Sequence, residues 1–80
     1  MLFQVDDTVR VARLIEAERD VTGSVDVPPQ PRVGDTAKIA ADVGAGIYLL
    51  ECCTDDGVLR WMAEFVAEEL ALVDRSDVEL

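Results

Sequence analysis

The stretch RVGDTAKIAADVGAGIYLLECCTDDGVLRWMAEF, residues 32–65, holds three short apolar runs separated by GAG and DDG. Within these runs the side chains alternate in the period of two that a β-strand with one buried face requires. Gly44 to Gly46 supply the permissive backbone of a tight connection, and Asp56-Gly57 is a strong local signal for a hairpin turn. The stretch therefore predicts a meander of three antiparallel strands.

Two further strands and one helical turn are expected around this meander. Valines at even intervals between residues 5 and 11 favour a strand through about Leu14, whereas the helix formers of ARLIEAERD keep a helix open over residues 9–20. Residues 67–70, AEEL, suit a single helical turn, and residues 71–73 suit a last short strand. Five short antiparallel strands with a helical turn before the last describe a small, mainly β barrel.

Residues 20–32, DVTGSVDVPPQPR, are expected to form a long loop, because proline cannot donate a backbone hydrogen bond within a central strand or helix. Its prolines are Pro28, Pro29 and Pro31. Loops of this length are often functional, although a solvated connector stiffened by proline would look the same. Residues 1–75 are expected to form a single domain, followed by a polar tail at 76–80.

The hydrophobic core predicted for this chain is small and has few aromatic side chains. Half of the 80 residues are hydrophobic, but only four are aromatic. Apolar surplus in so small a domain is often buried between subunits, so we expect a homo-oligomer. The run from Ile47 to Thr54 is apolar on both faces. Its second face, with Ile47, Leu49 and Cys53, is the candidate oligomer interface.

The charge of the chain restricts its partners. Seventeen acidic residues against seven basic ones give a formal net charge of −10, which repels nucleic acid and anionic membranes. A cationic protein remains a plausible partner, and the acids of the C-terminal half, including Glu64, Glu68 and Glu69, are expected on the surface. Without a signal peptide or a membrane-spanning run in the sequence, the expected location is the cytoplasm.

The segments VDDTVRVARL and RVGDTAKIAADVGAGIYLLECCTDDGVLRWMAEFVAEEL resemble the small SH3-like barrel proteins of bacteria. The likeness lies in a VGD-T-x-x-I strand, a following strand with glycine, tyrosine and glutamate, a DG hairpin and an acidic AEEL turn. It covers nearly the whole chain, from about Val5 to Val73. Short members of that group include proteins carried as integron gene cassettes. The resemblance implies an SH3-like five-stranded barrel with an interaction role, and it brings no catalytic residues.

Catalytic chemistry finds little support in the sequence. Histidine, the usual general base, is absent, and the only cysteines are the adjacent Cys52 and Cys53, so the common zinc ligand sets cannot be assembled. Asp55 and Asp56 belong to a hairpin turn and lack the spacing of a calcium loop. We therefore expect no catalytic residue, no metal, no cofactor and no enzymatic activity.

The remaining candidates are binding surfaces. Trp61 with Tyr48 and Met62 is either an apolar groove for a peptide or, for the tryptophan, the centre of the core. The first hypothesis is a non-catalytic, self-associating protein-interaction module or adaptor. The second is a small-molecule-binding protein or minor enzyme subunit, with an apolar pocket between copies lined by Trp61, Met62 and the loop at Pro28, Pro29 and Pro31.

Overall fold

The computed structural model describes residues 3–16, 19–23 and 29–75, and five antiparallel strands make up one sheet. The strand order is β4-β3-β2-β1-β5. Strands β4 and β5 are the two edges and do not pair with each other in the described residues, so the sheet is open rather than closed. The predicted mainly β class with five antiparallel strands is confirmed. The strands are β1 Thr8–Val11, β2 Thr36–Gly44, β3 Ile47–Cys53, β4 Leu59–Val66 and β5 Leu70–Asp74, with a 3-10 helix at Ala67–Glu69 before the last.

The meander predicted from residues 32–65 forms as β2, β3 and β4. Strand β2 reaches Gly44 and β3 begins at Ile47, so only two residues connect them. Gly44, Ala45 and Gly46 have φ values of 100°, 57° and 78°, the left-handed region that glycine enters without strain. The predicted helical turn and last strand also form, as the 3-10 helix and β5.

Strand β1 ends at Val11, three residues before the predicted end at Leu14. The chain leaves the sheet there because the next two backbone N–H groups, of Ala12 and Arg13, donate to the carbonyl oxygen of Glu69 at 2.7 and 3.3 Å. Of the two alternatives for residues 9–20, the strand forms at the start, and the described residues of this range form no helix.

The core lies on one face of the curved sheet. Alternate residues of β3 and β4 turn inward, and all four aromatic side chains are buried. The ring of Trp61 lies 5.5 Å from that of Phe65, and Phe3 meets Tyr48 edge to face at 5.3 Å. The indole N–H of Trp61 donates to Asp35 at 3.2 Å, so the buried polar atom is satisfied. The buried apolar residues are Phe3, Val9, Val11, Ala37, Ile39, Tyr48, Leu50, Cys52, Trp61, Ala63, Phe65 and Leu70.

Among the described residues two carboxylates are buried, and each is paired with an arginine distant in sequence. Asp7 accepts hydrogen bonds from Arg75 at 3.1 and 3.2 Å and from the backbone N–H of Gln4 at 2.8 Å. Glu69 pairs with Arg19. The acidic surface predicted for the C-terminal half therefore excludes Glu69, which is 2% exposed, because its charge is compensated inside the protein.

The long loop is described at residues 20–23 and 29–32 only. Gln30 exchanges two hydrogen bonds with the backbone of Arg19, at 3.0 and 3.1 Å, and so joins the two described parts. Pro28 and the tail at 76–80 lie outside the described residues. Within the described part of the chain, no helix has the length and apolar character needed to cross a membrane.

Candidate interaction groove

A groove of about 670 Å³ lies between the outer face of β3 and β4 and a segment that we call the strap, residues 15–16 and 19–22. In β3 the half-buried Ile47 and Leu49 alternate with the buried Tyr48 and Leu50, so the first pair faces away from the core. The apolar floor of the groove consists of Ile47, Leu49, Met62 and Val66.

The pairing of β3 with β4 brings the floor residues next to each other. Ile47 lies opposite Val66, and Leu49 lies opposite Glu64, in the antiparallel register of β3 with β4. Directly opposed side chains on one face of a sheet are close enough to contact each other. Ile15 of the strap, 61% exposed, adds an apolar side chain to the lining of the groove. The floor is therefore mainly apolar, and Glu64 lies on the same face of β4 between Met62 and Val66.

The strap is attached to the edge of β4. The backbone N–H of Thr22 donates to the carbonyl oxygen of Met62 at 3.0 Å, and the N–H of Met62 donates back to Thr22 at 2.6 Å. These reciprocal bonds form an isolated antiparallel bridge at the open side of the sheet. One wall of the groove is thus the strap, fixed to β4 by backbone hydrogen bonds.

Arg19 is the main side-chain contact between the strap and the sheet. Its two terminal nitrogens donate to both carboxylate oxygens of Glu69, and one of them donates to the carbonyl oxygen of Glu64 at 2.8 Å. The guanidinium carbon lies 4.1 Å from the centre of the Phe65 ring, a cation–π contact. The side chains of Arg19 and Glu69 are 7% and 2% exposed. This is a buried, bidentate ion pair at one end of the groove.

Glu69 remains ionised in this setting. Burial would raise the pKa of its carboxyl group, but the hydrogen bonds from Arg19 and from the backbone N–H groups of Ile15 and Val66 outweigh that effect. The pKa of Glu69 is accordingly below its ordinary value. The remaining guanidinium nitrogen of Arg19, Nε, is buried without a hydrogen-bond partner. The pair is therefore strongly held at the carboxylate and incompletely satisfied at the arginine.

The Arg19–Glu69 pair and the strap together cover part of the exposed edge of β4. Alternate residues of an edge strand direct their backbone groups away from the sheet, and here these residues are Met62, Glu64 and Val66. Met62 bonds to Thr22, the Glu64 carbonyl accepts from Arg19, and the Val66 N–H donates to Glu69 at 3.1 Å. Side chains and strap together thus occupy the positions that a neighbouring strand would take.

The groove carries an excess of negative charge. Four carboxylates and one guanidinium line it, and the guanidinium is paired with Glu69. Glu16, Asp20 and Glu64 remain, all exposed to solvent. No ion pair involves these three carboxylates within the ranges that the structure describes.

The candidate contact and interface residues predicted from the sequence lie in different parts of the structure. Ile47, Leu49 and Met62 lie together in the groove. Trp61 and Tyr48 are 0% and 4% exposed and belong to the core instead.

The remaining candidates lie elsewhere. Cys53 is exposed beside a smaller depression of about 270 Å³. Pro29 is exposed and Pro31 is buried, and neither lines the groove. The pairing of Arg19 with Glu69, which was expected on the surface, could not be predicted, because fifty residues separate the two and no periodicity connects them.

The described lining of the groove contains no cysteine or serine. In the part of the chain with described coordinates, no three metal-ligating side chains come together. Cys52 is buried, and its thiol lies 3.3 Å from the carbonyl oxygen of Thr36, to which it donates. Burial raises the pKa of this thiol, although the charge of Arg60 opposes the effect. A buried thiol with a raised pKa is a poor nucleophile, because the thiolate is the reactive form.

Comparison of the chain with protein-family models, curated proteins and solved structures finds no match. The function must therefore be inferred from the groove and its surroundings.

Proposed function

We propose that the chain is a non-catalytic protein-interaction module that holds a segment of a partner protein in the groove between the strap and the outer face of β3 and β4. The apolar floor formed by Ile47, Leu49, Met62 and Val66 is the observation that carries this proposal. Each of these side chains is half-buried. Covering the rest of such a surface contributes about 25 cal/mol for each Å² of apolar area removed from water.

We also propose that the fold is SH3-like. In support, the 3-10 helix Ala67–Glu69 directly precedes the last of five antiparallel strands, as the resemblance to the bacterial barrel proteins implies. The long connection between β1 and β2 supplies the strap, and long loops on rigid scaffolds commonly form binding surfaces. The open sheet is the feature in which the structure departs from the expected barrel.

The proposal is tested by selecting binders from a displayed library of random peptides. The wild-type protein should enrich peptides that Leu49→Asp no longer binds, because the new carboxylate would charge the floor of the groove. Val58→Asp is the matched control, since Val58 is 52% exposed and does not line the groove. Failure to enrich any peptide, or equal binding of the enriched peptides by Leu49→Asp, would refute the proposal.

A small-molecule ligand is a second candidate, favoured by the size of the groove. Its volume of about 670 Å³ lies within the range of about 300 to 1,000 Å³ typical of small-molecule sites. Of the residues predicted to line a ligand pocket between copies, Met62 is in the groove and Trp61 is not. A panel of apolar metabolites should then raise the melting temperature of the wild type but not of Leu49→Asp.

Self-association through the outer face of β3 stays a prediction from the sequence. A second copy of the chain and a segment of a partner protein would compete for this surface. Sedimentation velocity distinguishes the two occupants. A wild-type dimer that Leu49→Asp converts to a monomer would assign the groove to a second copy and contradict the partner-protein proposal. A monomeric wild type would leave the groove to a different protein.

A further inference from the structure

We infer that the segment bound in the groove carries lysine or arginine side chains next to its apolar ones. This inference rests on the proposed function and specifies the chemistry of the partner.

The described carboxylates of the groove lie on the strap and on β4, beside the apolar side chains of the floor. Glu16 and Asp20 belong to the strap, and Glu64 lies opposite Leu49 on the sheet. All three are exposed. An occupant that covers Leu49 and extends towards the strap therefore places its neighbouring side chains close to carboxylates.

Arg19, the one cation among the described lining residues, does not neutralise these three groups. One terminal nitrogen of Arg19 donates to the Glu64 carbonyl and to Glu69, and the other donates to the Glu16 carbonyl and to Glu69. Its contacts with Glu16 and Glu64 are thus to backbone oxygens and leave both carboxylates unpaired. The lining keeps three uncompensated negative charges for a partner to meet.

The whole molecule adds to this local preference. Its net charge of −10 attracts cationic segments over several ångströms and repels a second copy of the same chain. At physiological ionic strength this attraction decays over about 8 Å, so the carboxylates of the groove dominate once the segment is bound. An exposed ion pair contributes about a two- to fivefold gain in affinity.

The experiment uses the peptides selected by the wild-type protein and the triple variant Glu16→Gln/Asp20→Asn/Glu64→Gln. Selected peptides should contain more Lys and Arg than Asp and Glu, and replacing those cations with glutamine should weaken binding to the wild type by about two- to fivefold for each pair lost. The triple variant should bind the original and the glutamine peptides equally well. Glu68→Gln is the control, because Glu68 is exposed and does not line the groove.

The outcomes separate the inference from the proposed function. Peptides without a cationic excess that still depend on Leu49 would refute the inference and leave the proposed function intact. An unchanged preference for cations in the triple variant would also refute it. Failure to select any peptide that depends on Leu49 would remove the proposed function and the inference with it. Saturable binding of n-octylamine that is tighter than every selected peptide would overturn the assignment to a protein segment.

Discussion

At the scale of single residues, Arg19 and Glu69 are the most consequential side chains outside the apolar core. Glu69 receives four hydrogen bonds, two from Arg19 and two from the backbone N–H groups of Ile15 and Val66. Glu69 therefore connects the strap to the end of β4, and it does so from the 3-10 helix that leads into β5. A buried charge of this kind is stabilising only while its partner is present, because an isolated one has lost its hydration.

The first prediction concerns the coupling of this pair. Glu69→Met should lower the free energy of unfolding by about 3 kcal/mol, because Arg19 is left charged and largely buried. The double variant Arg19→Met/Glu69→Met should lose less than the sum of the two single losses. Urea unfolding of the four proteins measures the coupling, with the exposed Glu68→Met as control. If the double variant lost as much free energy of unfolding as the two single variants together, the predicted coupling between Arg19 and Glu69 would be wrong.

The second prediction is the effect of pH on Glu69. Its pKa in the folded protein is lowered from the ordinary 4.5, so the unfolded chain takes up the proton first as the pH falls. The stability from this group is fully present well above pH 4.5, begins to decline near that pH, and is lost as the pH falls through the lower folded pKa. Glu69→Gln should remove this part of the acid dependence. Parallel curves of unfolding free energy against pH for the two proteins would argue against it.

At the scale of elements, the outward edge of β4 is partly covered by the strap and by side chains of the same protein. Unprotected strand edges tend to recruit further strands. Here the strap bridge engages both backbone groups of Met62, and the Arg19–Glu69 pair engages the Glu64 carbonyl and the Val66 N–H. The strap thus has two roles, since it covers an edge and forms one wall of the groove.

The third prediction tests the strap bridge. Thr22→Pro removes the N–H that donates to the Met62 carbonyl, so the strap should detach more often. Hydrogen exchange at the Met62 amide should become faster, while the Leu50 amide in β3 should be unaffected. Thr22→Ala keeps both backbone bonds and serves as the control. An unchanged Met62 rate in Thr22→Pro would show that the bridge does not hold the strap.

The individual strands differ in how well they could be predicted from the sequence. The β2–β3–β4 meander was predictable because alternation, glycines and an Asp-Gly turn are local signals that agree. The end of β1 was not, because Ala12 and Arg13 leave the sheet to bond with Glu69, a residue distant in the chain. The groove was predicted only in part. The outward faces of Ile47 and Leu49 follow from strand period, whereas the strap depends on contacts between Arg19 and Glu69 that have no sequence signature.

At the scale of the whole molecule, two ion pairs among the described residues join parts of the chain that are distant in sequence. Asp7 and Arg75 connect the beginning of the described chain to its end, across 68 positions. Asp7 is 1% exposed, whereas the Arg75 side chain is 37% exposed. Together with the Arg19–Glu69 pair, this contact compensates both buried carboxylates in the part of the chain that the structure describes.

The fourth prediction follows from that connection. Arg75→Gln should lower the free energy of unfolding by about 1 to 3 kcal/mol, because the buried Asp7 loses its charged partner while keeping the Gln4 N–H. Arg13→Gln, at an exposed position, is the matched loss of one positive charge. Thermal unfolding at neutral pH measures both. Equal shifts in the two variants would mean that net charge, rather than the pair, is responsible.

The adjacent cysteines provide a built-in chemical probe of folding. Cys53 is exposed, whereas Cys52 is 2% exposed and its side chain lies within the core. A thiol-specific reagent should therefore label one sulfur quickly in the native protein and reach the second only when β3 opens. The rate of that slow step reports how often the interior becomes accessible, and no cysteine has to be introduced to measure it.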